Sequence, residues 1–282
     1  MRETKAEYLR IEKLHPFDGH PFKVVDNEEM DQLVESIRTQ GVLNPVVVRL
    51  IENGEYEVIS GHRRLHACKK AGMETIPALV VNMDRDAAAI ALVDSNLHRE
   101  HILPSEKAFA YKLKLEALKK QGQRTDLTSR QVVGKLETAD MIADGESGRQ
   151  VQRYIRLTHL IPEILQMVDD RKIALTPAVD ISYLTKKEQE DLLETMEYED
   201  CTPSVSQAIR MKQLSQAGEL DVYTIFDILT QKKANQHEKI SFKVSDLRSY
   251  FPRSYTASQM TREIIKALEF LRQRWEQNRD SR

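Results

Sequence analysis

The order of periodicities in this chain predicts an α+β N-terminal domain, an all-α domain after it, and a small C-terminal α(+β) segment. Three observations carry that prediction. Through about residue 102, β-branched runs of strand period alternate with amphipathic runs of helical period. From Pro104 the helical period continues alone to about residue 216. After Gln216-Ala217-Gly218, a short helical pattern, a polar stretch and a strand-like run lead to one last helix. The implied domains are 1–102, 103–217 and 218–282.

Tyr8-Leu9-Arg10-Ile11 reads as the first strand. Asp26 or Asn27 can cap a helix with Met30, Leu33, Val34 and Ile37 on its apolar face, ended by Gly41. Val46 to Leu50 is a β-branched strand, and Tyr56 to Ile59 returns from the Glu52–Glu55 turn as its hairpin partner. Gly61 then opens a helix that Gly72 closes. Another strand follows at Ile76 to Val81, and Asp84 caps a helix reaching about Ser95.

Pro104 suits a first helical position and Gly122 the stop of the long helix behind it, with a polar connection over 121–128. Shorter helices follow, with breaks expected at Gly145, Pro162, Pro177 and Pro203. The last segment has a small helix over Val222 to Leu229, a polar stretch over 231–239 and a strand-like Ile240 to Val244. Its terminal helix begins near Ser258, with Thr256 and Gln259 at capping-box spacing.

The chain has 282 residues, 40% hydrophobic and 30% charged, with a net charge of −2. Global attraction to nucleic acid is therefore not expected, and any DNA contact must come from a local basic surface. Cys68 and Cys201 are far apart and match no metal spacing; Cys68 reads as a small core residue. No apolar run is long enough to span a membrane and the start lacks a signal peptide's apolar core, so the expected compartment is the cytoplasm.

The most informative run is Ser60-Gly61-His62-Arg63-Arg64-Leu65-His66-Ala67. A glycine at a strand-to-helix junction leaves helix-start N–H groups free, and arginines in the first turn add forked donors matched to phosphate. Alone, such a run is equally an ordinary solvated helix start. Two further pieces can meet it. Gly41 to Arg49 is a helix stop, a Pro45 loop and a strand, able to present backbone groups at Asn44 to a ligand or to serve as a plain connection. Ser95-Asn96-Leu97-His98-Arg99 is a polar helix end where Arg99 can clamp phosphate and Asn96 can meet phosphate or a metal-bound water.

Taken in order, GVLNPVVVR, GHRRLHA and SNLHRE followed by ILPSEKAFAY resemble the ParB family of chromosome and plasmid partition proteins. The family pattern is a Gly-to-Pro-x-x-Val-Arg strand entry, a Gly-Glu-Arg-Arg-like motif, a Glu-Asn-x-Gln-Arg motif and a helical DNA-binding region. The match runs from about residue 8 to residue 185. The resemblance implies a ParB/sulfiredoxin-like N-terminal fold that binds CTP with magnesium and closes as a clamp on double-stranded DNA. Carried onto this chain, the nucleotide site is Gly61, His62, Arg63, Arg64, Asn96, Arg99 and Asn44, with Asn96 also the candidate magnesium contact through the nucleotide. It further implies a homodimer, a ParA-like ATPase partner and a nucleoid- or plasmid-associated location.

The chain departs from the pattern at His62 and Ser95, where the family has Glu, and at His98, where it has Gln. Losing two carboxylates suited to metal handling leaves at most a slow CTPase.

A helix-turn-helix pattern follows. Ser129 to Met141 is helical, Gly145 to Gly148 a turn, and Arg149 to Leu157 a second helix capped by Ser147. Arg149, Arg153 and Arg156 share one face, with Val151 and Ile155 on the core side. Arg149, Gln150 and Gln152 are placed to reach bases and Arg153 and Arg156 to meet phosphates, unless the helix is simply a charged exposed one. In the C-terminal helix Met260, Ile264, Leu268, Leu271 and Trp275 form a seam that suits dimerisation or packing within the chain. Two other functions stay open. One is a helix-turn-helix transcriptional regulator with a degenerate nucleotide sensor; the other is a phosphotransferase or nuclease of the sulfiredoxin-like superfamily.

Overall fold

The computed structural model describes residues 6–99, 101–125, 146–231, 247–252 and 254–279. The chain divides into two compact units, residues 1–231 and 232–282.

The first unit opens with five strands, β1 (Glu7–Arg10), β2 (Leu14–Pro16), β3 (Val46–Leu50), β4 (Tyr56–Ser60) and β5 (Thr75–Val81), in the order β1-β5-β3-β4-β2. The expected β3–β4 hairpin is present and antiparallel, while β3–β5 and β2–β4 run parallel. β2 carries no sequence signal, because Leu14-His15-Pro16 is too short to show a period. β1 and β2 lie on opposite edges yet are joined only by the 3-10 turn Ile11–Lys13. Five strands laid flat place their edges about 19 Å apart. The four-residue step from Arg10 to Leu14 reaches about 14 Å at most. The sheet must therefore curl.

One face of the sheet carries α1 (Glu28–Gln40) and α2 (His62–Ala71), which pack on each other. Asn27, not Asp26, caps α1 by accepting from the Met30 N–H at 3.0 Å. Met30, Val34 and Ile37 meet Val46, Val48, Leu65, Cys68 and Ile76 in one core. Each such buried aliphatic contributes roughly 1.5–3 kcal/mol relative to exposure. The other face carries α3 (Arg85–Leu97), capped by Asp84 on the Ala87 N–H at 2.7 Å, and α4 (Pro104–Thr125). Phe17, Phe22, Ile59, Leu92 and Val93 fill that side. Gly122 does not end α4, which runs through it to Thr125; an internal glycine weakens a helix by only about 1 kcal/mol.

Beyond α4 the first helix-turn-helix segment, Ser129 to Met141, lies outside the described residues, as does Gly145. Next come α5 (Gly148–Arg156), a 3-10 turn (Leu157–His159), α6 (Pro162–Asp169), α7 (Leu175–Ile181), α8 (Lys186–Tyr198), α9 (Val205–Ala217) and α10 (Val222–Thr230). Pro162 starts α6, but Pro177 sits within the first turn of α7 rather than breaking it, because the N–H it lacks has no intrahelical partner there. Gly218, at φ 73°, ends α9 as a left-handed cap. Past it, α10 buries Ile225, Ile228 and Leu229 in the same core as Ile164, Ile181, Leu192 and Met211. The compact unit thus runs past Gly218 to Gln231.

In the second unit the strand-like 240–244 lies outside the described residues. Its main element is α11 (Ala257–Arg279). The expected cap forms, with the Thr256 N–H donating to Gln259 Oε1 at 2.8 Å. Met260 is buried, Ile264 half-buried, and Leu268 and Leu271 exposed.

Candidate functional site

Gly61 is the N-cap of α2 at φ 104°, a conformation L side chains rarely adopt. A Cβ there would stand 2.7 Å from Val46 Cγ1, so only glycine fits between β4 and the helix. The junction aims the first turn of α2 at the loop before β3 and at the end of α3. Arg64 turns to that loop: its Nη1 donates to the carbonyls of Asn44 and of Pro45, the latter at 2.7 Å. Burial holds its guanidinium below the ordinary arginine range. Arg64 thus braces the Asn44-Pro45 backbone, and the Asn44 side chain is on an exposed residue.

His62 and Arg63 look the other way. His62 Nε2 accepts the Phe17 N–H at 3.3 Å, which places the ring proton on Nδ1 when the ring is neutral. The ring packs on His20, centroids 3.8 Å apart. Burial first, then His20 and Arg99, push the His62 pKa down to about 3. Burial and Arg99 also lower His20. Arg63 pairs with Glu29 at 3.2 Å and Arg99 lies over the Phe22 ring at 5.4 Å. Burial lowers the Arg99 guanidinium, with Glu106 opposing and Arg63 adding to the shift. Two guanidiniums, two imidazoles whose charged form burial disfavours, and a helix start therefore lie together. Such a cluster attracts anions and offers forked donors to phosphate.

Asn96 is buried and turned back on its own helix, its Nδ2 donating to the Leu92 carbonyl at 2.7 Å and to Ser95 Oγ at 3.2 Å. Sequence reasoning missed His20, Phe17, Phe22 and Glu106. Glu106 had a readable signal, three residues after Leu103 at a helix start, and it accepts the Leu103 N–H at 3.1 Å. The other three come from the loop after β2, which has no pattern to read.

On α5, Ser147 accepts the Gln150 N–H at 3.3 Å, as a cap should. Val151 is fully buried against Tyr111 and Leu115. Arg149 is exposed, with Gln150 and Gln152 half-exposed. Arg153 donates to Gln150 Oε1 at 3.2 Å and to Thr176 Oγ1 at 2.8 Å. Arg156 donates to the Ser182 carbonyl at 2.8 Å and lies 3.9 Å from the Tyr183 ring centre. The outer face of α5 is thus Arg149, Gln150 and Gln152, with Arg153 beside it and Arg156 folded against α7 and the turn after it.

A curled mixed sheet with a cationic helix start, followed in the chain by an all-α domain with a basic capped helix, defines a class of two-part proteins. Comparison with known proteins gives the family. Residues 1–97 match the ParB N-terminal domain. A nucleoid occlusion protein of Halalkalibacterium halodurans is 31% identical over 75% of this chain and 67% of its own length. A probable chromosome-partitioning protein ParB of Vibrio cholerae is 28% identical over 88% of this chain and 79% of its own. The chain spans 60% of the matched Listeria monocytogenes nucleoid occlusion protein. The C-terminally truncated chromosome-partitioning protein ParB of Caulobacter crescentus, complexed to the centromeric parS site, is 22% identical over 80% of this chain and all of its own, with a TM-score of 0.41. The same protein complexed with CTP-γ-S is 25% identical over 68% and 99%, with a TM-score of 0.32. This chain belongs to the ParB family. It is similar to both its chromosome-partitioning and its nucleoid occlusion members. Among the described residues no helix is long and apolar enough to cross a membrane.

Proposed function

We propose that this chain is a sequence-specific DNA-binding partition protein that binds CTP as a clamp-closing switch. The observation that carries the nucleotide half is the convergence of Gly61, His62, Arg63 and Arg99 beside a Pro45 loop braced by Arg64. Arg63, Arg99 and the free N–H groups of α2 would hold the phosphates, and the Asn44 loop would face the base. The exposed start of α5, with Arg149, Gln150 and Gln152, would enter the major groove of double-stranded DNA, and Arg153 would meet phosphate. Nucleotide can drive closure only by binding the engaged state more tightly than the open one. Two copies related as a homodimer, with a ParA-like ATPase as partner, complete the reading, and the apolar stripe of α11 is the candidate contact between copies. The location that follows is on the nucleoid or a plasmid.

The test is isothermal titration of the full chain with CTP, ATP, GTP and UTP, with and without a DNA duplex selected from a random pool. CTP-selective heat, together with nucleotide-dependent crosslinking between N-terminal domains, is the expected result. A footprint confined to one operator with no nucleotide response favours the transcriptional regulator instead. ATP turnover without DNA favours the phosphotransferase or nuclease reading.

A further inference from the structure

We propose that Arg153, held by Thr176, sets which base Gln150 reads: it occupies the amide oxygen of Gln150 and leaves that side chain a donor, which selects guanine. The inference deepens the DNA-binding reading above and rests on it. Arg153 Nη1 donates to Gln150 Oε1 at 3.2 Å, and Arg153 Nη2 donates to Thr176 Oγ1 at 2.8 Å. Arginine has no acceptor, so the amide atom turned towards it is the oxygen. Among the described residues Gln150 Nε2 has no hydrogen-bond partner.

Gln150 is fixed at its backbone as well. It is the third residue of α5, and its N–H donates to Ser147 Oγ at 3.3 Å. Val151, the next residue, is fully buried against Tyr111 and Leu115, which seats this turn of the helix on the core. Residues three apart on a helix are surface neighbours, so Arg153 reaches Gln150 without leaving α5. Thr176 lies in the first turn of α7 and gives the guanidinium a second point of attachment. The Gln150 amide is therefore oriented before any DNA arrives.

The orientation has a chemical consequence in a major groove. A glutamine with both ends of its amide free pairs with adenine, accepting from N6 and donating to N7. Here an adenine amino group would have to share Oε1 with a guanidinium, whose charge makes the stronger bond. Guanine presents two acceptors, N7 and O6, which match the two hydrogens of Nε2. Arginine carries five N–H donors and Arg153 spends two within the chain, so a phosphate contact stays open to it. The two roles are separable. A phosphate contact changes affinity for every sequence alike, whereas the held amide changes the ratio between bases.

The experiment is selection of duplexes from a random pool by the full chain, followed by fluorescence anisotropy on duplexes changed one base pair at a time. Gln150→Ala, checked like the other variants for folding by circular dichroism, identifies the base pair that Gln150 reads as the one where preference is lost. The unmodified chain is expected to bind guanine there about fivefold or more tightly than adenine. Arg153→Met keeps the stem and frees the amide; it is expected to weaken binding to all duplexes and to prefer adenine at that pair. Thr176→Val is expected to shrink the guanine preference by about threefold, and Thr176→Ser to retain it. The Thr176 pair decides the matter if Arg153→Met does not fold. Adenine preferred by the unmodified chain, a guanine preference that survives Arg153→Met or Thr176→Val, or a Gln150→Ala variant with unchanged preferences overturns this inference and leaves the DNA-binding reading standing. A pool from which no sequence is enriched overturns both.

Discussion

Asp169, near the end of α6, carries the start of α4: its carboxylate accepts the Ser105 N–H at 2.9 Å and the Ser105 hydroxyl at 2.6 Å. A helix cap is thus supplied from 64 residues away in the chain, and it ties the segment leaving the α+β domain to the helical domain. The Asp169 side chain is 2% exposed and Lys23 Nζ approaches it at 3.6 Å. Asp169→Ala removes a cap and leaves two buried donors without their acceptor. The expected loss is about 2–4 kcal/mol by urea denaturation. Lys23→Ala, with a half-exposed side chain, should cost no more than about 1 kcal/mol. Equal losses in the two variants would show that the ammonium, not the cap, carries the contact.

The His62 imidazole gives the fold a pH dependence with a definite sign. In the folded chain its pKa is pushed down to about 3 from an ordinary 6.5. Between those values the unfolded chain binds the proton and the folded chain does not, so stability rises with pH across that window. The contribution is complete above about pH 6.5 and is lost as pH falls towards about 3. Lowering the pH from 7 to 5 should cost on the order of 2 kcal/mol at most through this group. The comparison is with His62→Gln, which shares every other titration. If the two denaturation midpoints fall in parallel between pH 7 and 5, His62 is not the responsible group.

Gly61→Ala tests the strand-to-helix junction. The new Cβ meets Val46 Cγ1 at 2.7 Å on a backbone at φ 104°, and Val46 is fully buried. A loss of about 1–3 kcal/mol is expected from strain alone. Gly72→Ala, also at positive φ but with open space around it, should lose less. A larger loss at Gly72 would mean that backbone conformation, not crowding under β3, governs the site.

These residues also show what the sequence could and could not disclose. The Asn27 and Asp84 caps, the β3–β4 hairpin and the Gly61 junction rest on interactions between residues a few positions apart, and local pattern reveals those. The partners that finish the site do not. His20 meets His62 across 42 residues, from a loop whose position depends on β2, and β2 exists only because β4 pairs with it. Gly122 and Pro177 misled for local reasons: an internal glycine weakens a helix by only roughly 1 kcal/mol, and proline is tolerated in a first turn. Arg156 shares a helix face with Arg149 by spacing, but the Ser182 carbonyl that draws it inward is 26 residues away.

That last difference separates recognition from support on α5. Arg149 is exposed, and its loss should change stability by less than about 0.5 kcal/mol. If α5 reads DNA, the same Arg149→Ala change should weaken binding to a selected duplex by about 1–3 kcal/mol. Arg156 behaves differently, because it bonds the Ser182 carbonyl and lies against Tyr183, whose ring also receives Lys212 at 4.0 Å. Arg156→Ala should therefore lower the melting temperature before it touches DNA affinity, with about 1–3 kcal/mol of stability lost through the bond and the ring contact. Thermal melts and fluorescence anisotropy on both variants decide the matter. An Arg156→Ala protein that melts normally but no longer binds would show that Arg156 leaves Tyr183 to meet a phosphate in the complex.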